Sequence, residues 1–217
     1  FSNHINYSGS IMTYRYLQIF FYVFIFVFSR NAFAEMTIES LIYDDSKPFH
    51  LKILDTLPSE AIIQIGSDEA ENTIIEFMDY FCGYCKKIHP ELVELANERD
   101  DVRVIFLQHP ILSESSKVVA QMVVAANYQQ KGFELHHAIF SISGSLTQEK
   151  LSQAIKESGV NSIKLKIDSS KDETEKIIIL SSFLAGGIGA RGTPSIFVNE
   201  IFTPGYISKQ QIINMLK

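Results

Sequence analysis

Cys82 and Cys85 are the only cysteines among the 217 residues, and only Gly83 and Tyr84 separate them. Two thiols three positions apart can close into a disulfide and open again, which is exchange chemistry on a fixed pair. As a structural staple the bridge would do little. A closed loop of four residues stabilises a fold by roughly 2 kcal/mol, against nearly 5 for a loop of about 100. The pair is therefore read as reactive. Other uses of thiols fit less well. Structural zinc takes four ligands, of which a lone C-x-x-C supplies two and His89 at most a third. Haem attachment needs histidine directly after the second cysteine, where this chain has Lys86. Copper(I), which suits two soft thiolates, stays open.

The neighbouring sequence says how such a pair is held. Residues 73–78 are β-branched, aromatic and nearly apolar on both faces, the pattern of a buried central strand. Downstream of Cys82, Ile88, Leu92 and Leu95 recur at helical spacing with Glu91, Glu94 and Glu98 off the stripe, and Pro90 should kink that helix. Cys82 then falls in the first turn, where free backbone N–H groups and the helix dipole favour a thiolate. The dipole supplies about 0.3–2 kcal/mol, roughly one pKa unit, and any further shift requires hydrogen bonds. Cys85, one turn deeper, fits a resolving thiol. Glu76, six residues before Cys82, is either a proton carrier for Cys85 or an acid that caps an edge or meets a cation. Lys86 and Lys87 read as a solvated face close enough to favour a thiolate. His89, His136 and His137 read as helix-surface residues. Thr193-Pro194 opens a later strand, and on base rates its peptide bond is trans.

The remainder alternates in a way that suggests an α/β sheet. A short strand is expected over 61–65 and a second buried strand over 102–107. Helical patterning follows over 116–128, 133–140, 147–158 and 172–185, then a strand over 195–199 and a terminal helix over 208–217. Gly187 to Gly192 spells G-x-G-x-x-G. A dinucleotide site needs that motif after a strand and before a helix, and here the order is reversed, so it is read as a helix end and a tight turn.

Met12, Arg15, the apolar run 17–28 and Ala32-Phe33-Ala34 have the form of a secretory leader cleaved before Glu35. The run is short of the ~20 apolar residues that span a bilayer. Residues 1–11 resemble no targeting element and read as an upstream extension. Removing Arg15 and Arg30 with the leader takes the formal charge from −6 to −8, and no basic cluster suggests nucleic acid. The divisions expected are 1–34 upstream residues and leader, 35–60 an N-terminal extension, 61–112 the first part of a core, 113–187 a helical insertion and 188–217 the second part of the core.

Three ordered blocks carry a family likeness: residues 73–86 around Cys82-Gly83-Tyr84-Cys85, His109-Pro110-Ile111-Leu112 with the alanine-rich helix after it, and Gly192-Thr193-Pro194 with residues 195–199. Together they resemble the DsbA family of thioredoxin-fold proteins, in the branch of suppressor-of-copper-sensitivity and Com1-like proteins. The resemblance implies a thioredoxin fold with an inserted helical domain. It makes Cys82 the nucleophile, Cys85 the resolving cysteine, Glu76 the buried acid and Pro90 the proline of the active-site helix. Thr193-Pro194 becomes a cis-proline loop that pairs with an extended substrate segment. Strongly oxidising members carry Pro-His between the cysteines, so Gly83-Tyr84 implies a less acidic Cys82 and a weaker oxidant or an isomerase. The implied activity is thiol–disulfide exchange on unfolded or mis-bridged exported proteins in the periplasm, with no metal or organic cofactor and with a membrane redox partner to reset the pair. A homo-oligomer through residues 35–60 is a further expectation. A copper(I) carrier and a non-enzymatic chaperone are the alternatives.

Overall fold

The computed structural model describes residues 47–217. The leader, its cleavage position and the first part of the extension lie outside the described residues.

Two strands that are buried on both faces organise the sheet. Strand β2 (Asn72–Met78) is buried at every position, and β3 (Val102–Gln108) at all but Arg103. They pair in parallel, from Asn72 opposite Val102 to Met78 opposite Gln108. Helices on both sides make continuous apolar runs the stable choice here. Outside β3 lies β1 (Ile63–Ile65), antiparallel to it; on the other side β4 (Ser195–Val198) runs antiparallel to β2 and β5 (Ile201–Pro204) antiparallel to β4. The strand order is β1-β3-β2-β4-β5.

Side chains alternate across this sheet. Glu76, Phe106 and Ile196 are register partners on one face, and Ile75, Ile105 and Phe197 on the other. Helix α1 (Phe49–Thr56) covers the second face, with Phe49 6.3 Å from the Phe197 ring and Ile53 fully buried. Helix α2 (Gly83–Glu98) covers the first face, with His89 5.4 Å from Phe106. The helix continues through Pro90, which cannot donate to the Lys86 carbonyl. Gly66 turns the chain after β1 with φ +97°, and a Cβ there would meet the Val102 carbonyl at 2.5 Å, so only glycine fits.

Between β3 and β4 the chain forms α3 (Glu114–Asn127), α4 (Gly132–Phe140), α5 (Gln148–Glu157), α6 (Ser162–Ser169) and α7 (Asp172–Gly187). Ser113, Thr147 and Asn161 cap α3, α5 and α6 by accepting N–H groups from the first turn. Helix α7 opens on Asp172, Glu173 and Glu175 and ends at Gly189, φ +85°, where the Ala190 N–H donates to the Ala185 carbonyl at 2.9 Å. The glycine-rich segment is thus a helix end. The last helix, α8 (Lys209–Ile213), lies against α2: Lys209 Nζ reaches Glu94 and Glu98 at 2.8 and 2.9 Å. The architecture is the α/β thioredoxin fold with a helical insertion.

Several sequence expectations shift. Ala61 closes a single 3-10 turn (Ser59–Ala61), so the first strand starts only at Ile63. The terminal helix stops at Ile213. Helices α1 and α6 and strand β5 had no clear sequence signature. Within residues 49–61, Ile53, Leu57 and Ala61 are buried.

Candidate active site

Strand β2 ends at Met78, and four residues later Cys82 is the N-cap of α2, in extended conformation. Its N–H donates to the Asp79 carbonyl at 3.0 Å, and its own carbonyl accepts the Lys86 N–H at 3.0 Å. The turn therefore delivers Cys82 to the helix end while Cys85 faces inward. Cys82 is 8% exposed and Cys85 not at all, and the two thiols are unbridged. Across from them the Thr193–Pro194 peptide bond is cis, where base rates favoured trans and the resemblance favoured cis. The Cys82 thiol donates to the Thr193 carbonyl at 3.1 Å.

The two thiols are pushed in opposite directions. Hydrogen bonding from the Cys85 thiol, then from the Thr193 side chain and from the Cys85 and Tyr84 N–H groups, lowers Cys82 from 9 to about 5, against an opposing cost of burial. These donors are the hydrogen bonds that the dipole alone left wanting. Cys85 is pushed far up, by burial first, then by its bond to Cys82 and the charge of Glu76. Glu76 lies on the α2 face of the sheet, fully buried, and neither carboxyl oxygen has a conventional hydrogen-bond partner. Burial raises it to about 8, with the Cys85 thiol pulling the other way and the Cys82 charge adding to the rise. Among the described residues it meets no cation and caps no edge. Gly83 and Tyr84 are both exposed, and Tyr84 stacks near Tyr206 at 5.6 Å. The lysines serve elsewhere: Lys86 Nζ donates to the Gly144 carbonyl at 2.9 Å, and Lys87 sits 4.4 Å above the Tyr206 ring. Neither is among the causes of the Cys82 shift.

The histidines require a correction. His89 and His136 are buried, at 2% and 0% exposure, and only His137 is at the surface. His89 Nε2 lies 3.0 Å from His137 Nδ1, and the His89 and His136 rings meet edge-on at 4.8 Å among Phe106, Phe133 and Phe140. Tyr80, two residues before Cys82, places its hydroxyl 2.9 Å from His136 Nδ1. This cluster joins α2 to α4, the insertion to the core. The signal was in the spacing: His89 falls on the buried stripe Cys85-Ile88-Leu92, and His136 on Leu135-Ile139-Phe140. Beside Cys82 a cleft of about 330 Å³ opens between Phe81 and Lys86 on one side and Ile139, Ile142 and Leu146 on the other. Among the described residues no group of three or more His, Cys, Asp or Glu is arranged to hold a metal ion, and no helix is long and apolar enough to cross a membrane.

This geometry agrees with the comparisons. The chain belongs to the thioredoxin family: the family model described as Thioredoxin matches residues 59–217. No curated protein matches it. Among solved structures it is similar to a thioredoxin-like oxidoreductase from Silicibacter pomeroyi, at 29% identity and TM-score 0.69 over 75% of this chain and 93% of that one. It is also similar to the catalytic domain of Proteus mirabilis ScsC, at 26% identity and TM-score 0.65 over 72% of this chain and 88% of that one. The thiol-disulfide exchange protein alpha-DsbA2 from Wolbachia pipientis shares the fold, at 24% identity and TM-score 0.64 over 75% and 91% of the two chains. These neighbours are thiol–disulfide oxidoreductases of the DsbA and ScsC type, as the sequence blocks implied.

Proposed function

We propose that the protein exchanges disulfides with exported polypeptides through Cys82 and Cys85. The observation that carries this is the opposite displacement of two thiols one helical turn apart, Cys82 down to about 5 and Cys85 far up. At neutral pH Cys82 is a thiolate and attacks a substrate disulfide: a Cys82–substrate bond forms and one substrate thiolate leaves. Cys85 then attacks the Cys82 sulfur, and its proton passes to the Glu76 side when that carboxyl is ionised. The Cys82–Cys85 disulfide forms, the second substrate sulfur leaves as thiolate, and the substrate has gained two electrons. Run backwards, the same steps place a disulfide into a dithiol substrate. Thr193, facing Cys82 from the cis-proline loop, supplies backbone for pairing with an extended segment.

A Cys82 value of about 5 lies between the roughly 7 of thioredoxin and the roughly 3.5 of a strong oxidant. That supports a weakly oxidising or isomerising role, in line with Gly83-Tyr84 between the cysteines. The leader-like residues 12–34 and the oxidising compartment such a pair requires support export to the periplasm, where a membrane redox partner resets the couple. The test is trapping. Cys85→Ser should accumulate a mixed disulfide with a scrambled exported protein, and Cys82→Ser should not; folding assistance that survives Cys82→Ser intact refutes the proposal.

A further inference from the structure

Asp79 and His109 have no part in the steps above, yet both are buried within reach of the turn that carries Cys82. Asp79 is 1% exposed, and each of its carboxyl oxygens is committed to a backbone donor. Oδ1 accepts the Phe81 N–H at 2.8 Å, next to Cys82, and Oδ2 accepts the Leu112 N–H at 3.0 Å, from the segment that follows β3. His109 begins that segment. Its N–H donates to the Met78 carbonyl at 2.8 Å, and its Nε2 lies 3.1 Å from the Ala190 carbonyl, three residues before Thr193. A carbonyl only accepts, so Nε2 carries the hydrogen and donates. Residues 109–112 are thus bolted on one side to the Cys82 turn and on the other to the loop that ends in Thr193. The Cys82–Thr193 contact of 3.1 Å spans the gap between those two sides.

We propose that Asp79 and His109 are positioning residues, which fix the separation of Cys82 from Thr193 by clamping residues 109–112 between them. The proposal rests on the reading of Cys82 as the attacking thiol. Buried backbone N–H groups need partners, and one carboxylate accepting two of them from different segments locks both at once. Loosening either bolt lets Thr193 drift from the sulfur, and with it the Thr193 side chain, which helps to lower the Cys82 thiol.

The test is ultraviolet titration of the Cys82 thiolate, with the rate at which reduced glutathione opens the oxidised protein. His109→Leu and Asp79→Ala should each raise the apparent thiolate pKa by about one unit, the size of one charge-assisted hydrogen bond lost. They should also slow complete reduction by glutathione, whose second step expels Cys82 from its mixed disulfide, because a more basic Cys82 leaves less readily. His109→Gln, which can still offer an amide N–H to Ala190, should recover at least half of the shift. Folded variants that titrate and exchange as the wild type does overturn the proposal, even where their melting temperatures fall. If Asp79→Ala does not fold, the His109 pair decides, and equal behaviour of Leu, Gln and His at 109 overturns it. A wild-type protein that does not exchange with glutathione at all refutes instead the reading of Cys82.

Discussion

At the scale of single residues, Cys82 is held as an anion by hydrogen bonds, with no cation among the causes of its shift. The Cys85 thiol is the largest cause of its lowered pKa. Cys85→Ala should therefore raise the Cys82 thiolate pKa above the wild-type value of about 5, read by absorbance against pH. Glu76 gives a second prediction with a definite sign. Its carboxyl rises from 4.5 to about 8 on folding, so the native state binds the extra proton between those values. Stability from this group is complete below 4.5 and is lost as pH climbs through 8. Glu76→Gln should remove that loss, so the urea midpoint of the variant relative to the wild type should rise from pH 4.5 to pH 8. The comparison belongs on the disulfide form, where neither thiol titrates and burial, the first cause of the upward shift, remains. A difference that stays flat across that window would show that Glu76 ionises freely in the folded protein.

At the scale of elements, the joint between α2 and α4 has its own pH signature. Burial lowers His89 from 6.5 to about 3, and burial with the neighbouring imidazoles lowers His136 as well. Both are neutral in the folded state but protonate near 6.5 when unfolded. The joint therefore contributes fully above 6.5, and its contribution is lost as pH falls towards 3. His89→Phe keeps a ring stacked on Phe140 and should flatten the acid limb of the stability curve, measured by urea unfolding from pH 7 to pH 4. At α8 the Ser208–Gln211 capping box holds a helix of five residues against α2. Ser208→Ala should cost about 1 kcal/mol in the same assay. The elements also show what was legible. Strands β2 and β3 announced themselves because burial on both faces leaves an unbroken apolar run, and α5 because Thr147 and Gly159 bracket it. Helix α6 was hidden because only Leu165 and Asp168 of its residues are buried, which leaves no stripe. Strand β5 is a partly exposed edge of four residues ending in Pro204. The buried histidines are hidden because a polar residue type masks their position on the apolar stripe.

At the scale of the whole molecule, the sheet and the insertion bring together residues that lie more than a hundred positions apart. Cys82 and Thr193 meet only because β4 lies beside β2, an adjacency that no local pattern reveals. The cysteines and their helix could be read from spacing alone. The place of Thr193-Pro194 came only through likeness to a family, and the Asp79–His109 clamp through neither, since its bonds run to backbone groups of distant segments. What the assembled site does is exchange electrons at one dithiol, and that is open to direct measurement. The protein is equilibrated in glutathione buffers of graded potential, and the Cys82–Cys85 state is read by thiol trapping and mass spectrometry. One reversible two-electron couple is expected, above the roughly −270 mV of thioredoxin and below the roughly −120 mV of a strong oxidant. No reversible couple, or thiols shielded from trapping by a bound metal, would contradict it.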